Sequence, residues 1–144
     1  MVTLMTERSR WDALLAGVYD IPANDTFGFE RHDVADPADH VAFSWTVPAE
    51  FCNSAGNLQG GVLAAFADAL LGAASAARLP ESHYPALAEM KISIFRPAPA
   101  GTTISGTGYV VKSGRRVLFA EAEITNADGE LVARASATEI PAEA

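Results

Sequence analysis

The sequence predicts an α+β fold in which an antiparallel sheet of about six strands wraps on one long central helix. Three observations predict it. Residues 60–77 carry one charge, Asp68, in a run otherwise of Gly, Ala, Val, Leu, Phe and Ser. A helix of that composition offers no polar face to water and belongs inside a protein. After it come strand-like segments joined largely by short turns, and strands linked by hairpins make an antiparallel sheet. Two further strand-like segments precede it, and a single helix can cover only one face of the sheet they complete.

In chain order, residues 6–17 read as a short helix, with Trp11, Leu14, Leu15 and Val18 at helical spacing and Gly17 as a stop. It belongs to an N-terminal helical extension of about residues 1–20 on one domain spanning 1–144. Residues 26–34 and 39–48 read as strands bridged by the polar segment 33–39, and Val41, Phe43, Trp45 and Val47 share one face of the second. A loop over 48–58 holds Asn53 and Gly56 before the long helix. Strand 88–96 sets Met90, Ile92 and Ile94 against Glu89, Lys91 and Ser93, and Pro97-Ala-Pro-Ala-Gly101 ends it. Strands 102–112 and 115–125 flank a Ser113-Gly114 hairpin, the second burying Leu118, Ala120, Ala122 and Ile124. The turn Asn126-Ala-Asp-Gly129 leads into a last strand over 130–140.

Composition narrows the function. With 49% hydrophobic and 19% charged residues the chain is globular. A net charge of -8 argues against nucleic acid, which requires a basic surface. The one cysteine, Cys52, permits no intrachain disulfide, and His32, His40 and His83 have no ligand spacing, so neither metal nor other cofactor is expected. A reducing cytoplasm is the simplest compartment. The first residues lack the apolar core of a secretory signal, and Asp68 near the centre of 60–77 weakens a membrane reading. There is no Gly-x-Ser-x-Gly, P-loop or dinucleotide fingerprint.

The chemistry therefore centres on Asp68 and on the stretch Asn53-Ser-Ala-Gly-Asn-Leu-Gln-Gly-Gly61. A carboxylate on an apolar helix loses hydration, which raises its pKa and makes it a better base. Two glycines opening a helix leave backbone N–H groups unobstructed at the positive end of the helix dipole. The alternative roles are structural: a hydrogen-bonded acid and a helix start packed on a strand.

This block resembles the hotdog-fold thioesterases of the phenylacetate-degradation (PaaI-like) type. Their pattern is an Asn, a Gly three residues on, His-Gly-Gly at the helix start and an Asp eight residues beyond the first of those glycines. Asn53, Gly56, Gln59-Gly60-Gly61 and Asp68 match that spacing. Residues 89–98, Gly101, Ser113-Gly-Arg-Arg116 and Asp128-Gly-Glu-Leu-Val-Ala133 resemble the later strands, so the likeness covers roughly residues 40–140. Two positions depart from it: Gln59 stands for the usual His, and Leu87 for a Ser or Thr that helps hold the attacking water.

The resemblance implies hydrolysis of an acyl-CoA thioester by a homodimer or a dimer of dimers. Asp68 is then the general base or nucleophile, and the Gly60 N–H polarises the thioester carbonyl with Gly61 in support. Asn53 orients water or carboxylate, while Gln59 orients without carrying a proton. Gly60 and Asp68 lie about 12 Å apart along a helix, too far to act on one carbonyl, so each site needs two chains. Lys112, Arg115 and Arg116, with Arg96 as a further candidate, are expected to meet the coenzyme A phosphates, and Phe66 to line an acyl pocket. The competing reading is a non-catalytic binder or sensor of acyl thioesters, which Gln59 and Leu87 keep open. A hydratase of the same fold is disfavoured, because no His lies near the site in the sequence.

Overall fold

The computed structural model describes residues 21–32 and 40–144. Its first element is a short helix, α1 (Pro22–Phe27), which Pro22 initiates and Gly28 stops at φ 82°, in the left-handed region that suits glycine. Strand β1 (Glu30–His32) follows, then β2 (Val41–Thr46), the long helix α2 (Gly60–Ala76), β3 (His83–Ile94), β4 (Thr103–Ser113), β5 (Leu118–Thr125) and β6 (Leu131–Glu143). The six strands form one antiparallel sheet in the order β1-β2-β4-β5-β6-β3. Helix α2 leaves β2 near one edge, crosses the inner face in contact with β2 to β6, and delivers the chain to β3 at the other edge.

Alternation works as the sequence indicates. Val41, Phe43, Trp45 and Val47 are buried, as are Leu118, Ala120, Ala122 and Ile124. Phe66 of α2 stands between Phe29 and Trp45, with ring centroids 5.0 and 6.1 Å away. The floor beneath the rest of the helix is lined by small residues, Ala120, Ala122, Ala133, Ala135 and Ala137.

Two expectations change. Residues 26–28 end a helix rather than begin a strand, because Pro22 favours a helical start and Gly28 closes it. Strand β3 starts at His83, well before residue 88. Pro85 conceals this stretch, although an edge strand tolerates proline, and a bulge between Leu87 and Glu89 breaks the alternation. The helix expected over 6–17 lies outside the described residues.

A third change concerns α2, which is not enclosed on every side. Leu63, Phe66, Ala67, Leu70, Leu71, Ala73, Ala74 and Ser75 face the sheet and are buried. Gly61 and Asp68 lie exposed on the opposite side, flanked by the half-buried Ala64, Ala65 and Gly72. One sheet covers one face of a helix, so the residues opposite it stay open in a single chain.

Close approach holds α2 in place. A Cβ on Gly108 would sit 2.6 Å from the Leu70 carbonyl oxygen, and one on Gly106 would collide with the Leu70 side chain. The helix therefore rests almost directly on β4. Gly108→Ala is expected to destabilise the protein by about 2–3 kcal/mol, since backbone must move, and Gly106→Ala by about 1 kcal/mol, since a Leu rotamer can yield. Urea denaturation of both variants checks the order; a larger loss at Gly106 would contradict it.

Candidate active site at the start of the long helix

The loop before α2 is built to present the helix N-terminus. The Asn53 Oδ1 accepts the N–H of Ala55 at 3.0 Å and of Asn57 at 3.2 Å, and Gly56, at φ 77°, donates its N–H to the Asn53 carbonyl. Asn53 thus spends its oxygen on the turn, and its Nδ2 is the group left to meet a ligand. Leu58 donates to the Ala98 carbonyl at 2.8 Å and Gln59 to the Phe51 carbonyl at 3.0 Å, which pins the entry to the helix.

Gln59 is the N-cap, extended at ψ 137°, and its carbonyl accepts from Val62 and Leu63. Its side chain makes no capping bond and is exposed. Among the described residues nothing accepts the N–H of Gly60 or Gly61. A Cβ on Gly60 would touch Ile94 Cδ1 at 3.4 Å, whereas one on Gly61 would meet open space. Two unused donors therefore sit at the positive end of a helix of 17 residues.

Asp68 lies on the open stripe of the same helix. It is exposed in the single chain, yet the apolar atoms crowded around it still raise its carboxyl above the ordinary range.

The sequence reading passed over Glu139. It lies on β6 opposite Leu118 of β5 and Leu87 of β3, is 1% exposed, and neither carboxyl oxygen has a hydrogen-bond partner. Burial, and secondarily the charge of Asp68, push it up to about 7. A signal was present. Ala133, Ala135 and Ala137 alternate inward, and Glu139 continues their parity.

Residues 55–133 match the family model of the thioesterase superfamily, a span that takes in the helix start and Asp68. The chain belongs to the thioesterase superfamily. A thioesterase-type, phenylacetic acid degradation-related protein of Ralstonia eutropha is 29% identical, with a TM-score of 0.81 over 91% of this chain and 98% of that one. A variant of the phenylacetic acid degradation protein PaaI of Thermus thermophilus is 25% identical, with a TM-score of 0.74 over 83% of this chain and 98% of its own. A Streptococcus mutans protein solved with acetyl-CoA is 22% identical, covers 80% of this chain and 89% of its own, and has a TM-score of 0.71. No curated protein matches by sequence. The fold is the hotdog fold of the PaaI-type proteins, and the chain is a thioester hydrolase by family.

The remaining candidates in this thioesterase chain are spread over two ends of the sheet. Gly60 abuts Ile94, whose row runs through Ala133 to Ile124. Arg96 follows at that end; its Nε lies 3.2 Å from Glu130 and its Nη1 donates to the Leu131 carbonyl at 3.0 Å. Lys112, Arg115 and Arg116 are exposed on the β4–β5 hairpin, at the end where Leu118, Glu139 and Leu87 align. Phe66 is 0% exposed inside the aromatic cluster and serves the core rather than an open pocket. Among the described residues there is no cluster of His, Cys, Asp and Glu suited to a metal, and no helix long and apolar enough to cross a membrane.

Glu139 makes stability depend on pH. Its folded pKa of about 7 exceeds the ordinary 4.5, so the native state holds the proton more tightly. The stabilisation is complete below the ordinary value and is lost as pH rises through about 7. Glu139→Gln should remove that dependence, gaining roughly 2.5 kcal/mol on wild type between pH 5 and pH 8. Urea midpoints at both pH values test this; a constant difference would contradict it.

Proposed function

We propose that this chain hydrolyses acyl-CoA thioesters at a site completed by two subunits. The observation that carries this reading is that one helix presents two unpartnered N–H donors at its start and a carboxylate of raised pKa on its open side. A thioester oxygen seated on the Gly60 N–H, with Gly61 beside it, is polarised by aligned dipoles that need no reorganisation. Asp68 takes a proton from water as the water attacks, or attacks the carbonyl itself. The Gln59 amide and the Asn53 Nδ2 orient the reacting groups.

The second subunit is required by distance. Eight residues of helix separate Gly60 from Asp68 by about 12 Å, so Asp68 of one chain serves Gly60 of the other. The open surfaces support such a pairing. Strand β3 is an edge strand of 12 residues, with Tyr84, Leu87 and Ile94 exposed along it and Phe95 just beyond. An unpaired edge of that length is a template for another strand. Beside it, Gly61 and Gly72 leave space for a close approach of a second helix.

The same two-fold exchange would bring one chain's Asp68 end, with Lys112, Arg115 and Arg116, toward the partner's Gly60 end with Arg96. Cations from both ends would then face one set of phosphates. Binding of acetyl-CoA by the Streptococcus mutans protein and of coenzyme A by a Streptococcus pneumoniae thioesterase neighbour favours coenzyme A as the carrier. The catalytic reading is favoured over a non-catalytic binder because a binder has no use for a carboxylate kept poorly solvated beside that helix.

Two outcomes test the proposal. Asp68→Asn is expected to lower turnover of a panel of acyl-CoA esters by about 10²–10⁴-fold with fold and oligomeric state intact, and free-thiol release gives the rate. Unchanged turnover would remove Asp68 from the mechanism. Specific activity should also fall on dilution below the dimer dissociation constant, followed beside mass photometry; activity that persists in monomers would end the shared-site reading.

A further inference from the structure

Three cations of the β4–β5 hairpin stand without partners. Arg31, Arg96 and Arg134 each sit against an acid, respectively Asp25, Glu130 and Glu123. Lys112, Arg115 and Arg116 are exposed and pair with no acid among the described residues, although the chain carries a net charge of -8. The Gly114 N–H donates to the Val117 carbonyl at 2.9 Å, so the hairpin tip is Arg115-Arg116, just beyond the expected Ser113-Gly114. A two-residue hairpin turn favours Asn, Asp or Gly, which accept a left-handed backbone. Neither arginine is left-handed, and two like charges side by side repel. Native proteins break such local rules chiefly at functional sites.

An open aromatic ring lies beside the tip. Leu118, Ala120, Ala122 and Ile124 of β5 face the helix, so Phe119 faces outward, and it is 43% exposed. It is paired with Lys112 of β4 and Thr138 of β6, and among the described residues it stacks on no other ring. Directly opposed residues have Cβ atoms about 5 Å apart, so the Phe119 ring and the Lys112 stem share one patch. Farther along this outer face the side chains are polar and matched, Tyr109 with Glu121 and Arg134 with Glu123. Guanidinium forks hold phosphate oxygens, and a purine offers a π-face to an aromatic ring. Unpaired cations around one open ring therefore suit a single phosphorylated purine nucleotide, whereas a polynucleotide needs a broader basic surface.

We propose that the β4–β5 hairpin is the subsite for the nucleotide end of a coenzyme A thioester, with Lys112, Arg115 and Arg116 on its phosphates and the Phe119 ring against its adenine. The proposal rests on the hydrolase reading above and gives that site its selectivity. The hairpin does not touch the reacting carbonyl; it favours a coenzyme A ester over the same acyl group on bare pantetheine. A nucleotide remote from the bond that breaks is held equally before and during reaction, so the hairpin acts on KM rather than kcat.

The experiment measures kcat and KM for one acyl group carried by coenzyme A, by dephospho-coenzyme A and by pantetheine. Wild type is compared with the double variant Arg115→Gln/Arg116→Gln, with Phe119→Ser, and with Arg134→Gln as the control for lost surface charge; all four side chains are exposed. The double variant should raise KM for the coenzyme A ester about 10- to 100-fold and Phe119→Ser about tenfold, with kcat little changed. The pantetheine ester, which lacks the nucleotide, should lose far less, and Arg134→Gln should follow wild type. Hairpin variants that keep the wild-type KM for the coenzyme A ester overturn the subsite and leave the hydrolase reading standing. Variants that lose only binding to phosphatidylglycerol vesicles assign the patch to a lipid surface and overturn it too. A wild type that turns over none of the three esters overturns the hydrolase reading instead. Calorimetry with free coenzyme A then decides the subsite by itself: weaker binding to the hairpin variants upholds it, and equal binding refutes it.

Discussion

The seating of α2 on β4 is the constraint on which the rest depends. Leu70 of the helix lies against Gly108 with no room for a methyl group between them, and the neighbouring rows of the sheet present alanines. A helix held that close cannot slide or roll without opening voids along its length. Both features of the proposed site inherit their positions from this contact. The first turn is fixed over Ile94, where the Gly60 and Gly61 N–H groups are left without acceptors, and Asp68 is fixed on the far side, within electrostatic reach of Glu139.

Under the proposed two-subunit mechanism, the same seating explains why one chain would offer half a site. A sheet buries one face of a helix, and the face left over here consists of Gly, Ala and a single carboxylate. Small residues with nothing against them suit a second helix better than water, and β3 beside them is a long unpaired edge. The proposed donors and base sit about two turns apart along the helix. Geometry that would be useless within one subunit becomes complementary once a two-fold axis reverses one helix against the other.

Much of this was legible in the chain. Period-two alternation placed the inner faces of β2 and β5 correctly, because each is half-buried and regular. The loop from Asn53 to Gly61 and the apolar helix after it carried both the fold and the donor site, since glycine pairs and a lone acid in an apolar run are strong local signals. The losses were equally local. Pro85 and the bulge at Leu87 hid the first half of β3, and the left-handed Gly28 ended a helix where alternation suggested a strand. The full burial expected of α2 failed because one sheet covers one face of a helix, and composition alone does not say how many walls the single chain supplies. Glu139 was missed for a different reason. It sits near the end of a strand with an ordinary alternating pattern, and what makes it unusual is the depth of the sheet around it, a property of packing between segments far apart in sequence.

The claim that the site is shared between subunits is tested most directly by complementation. Gly60→Pro removes the donor at the first helical position, where proline is tolerated, and the extended Gln59 at ψ 137° already has the backbone that a residue before proline prefers. Homodimers of Gly60→Pro and of Asp68→Asn should each be nearly inactive. Co-expressed with random pairing, they should recover about a quarter of the wild-type rate, because each mixed dimer rebuilds one site from an intact Asp68 and an intact Gly60. Mixed dimers that form and remain inactive would contradict the account.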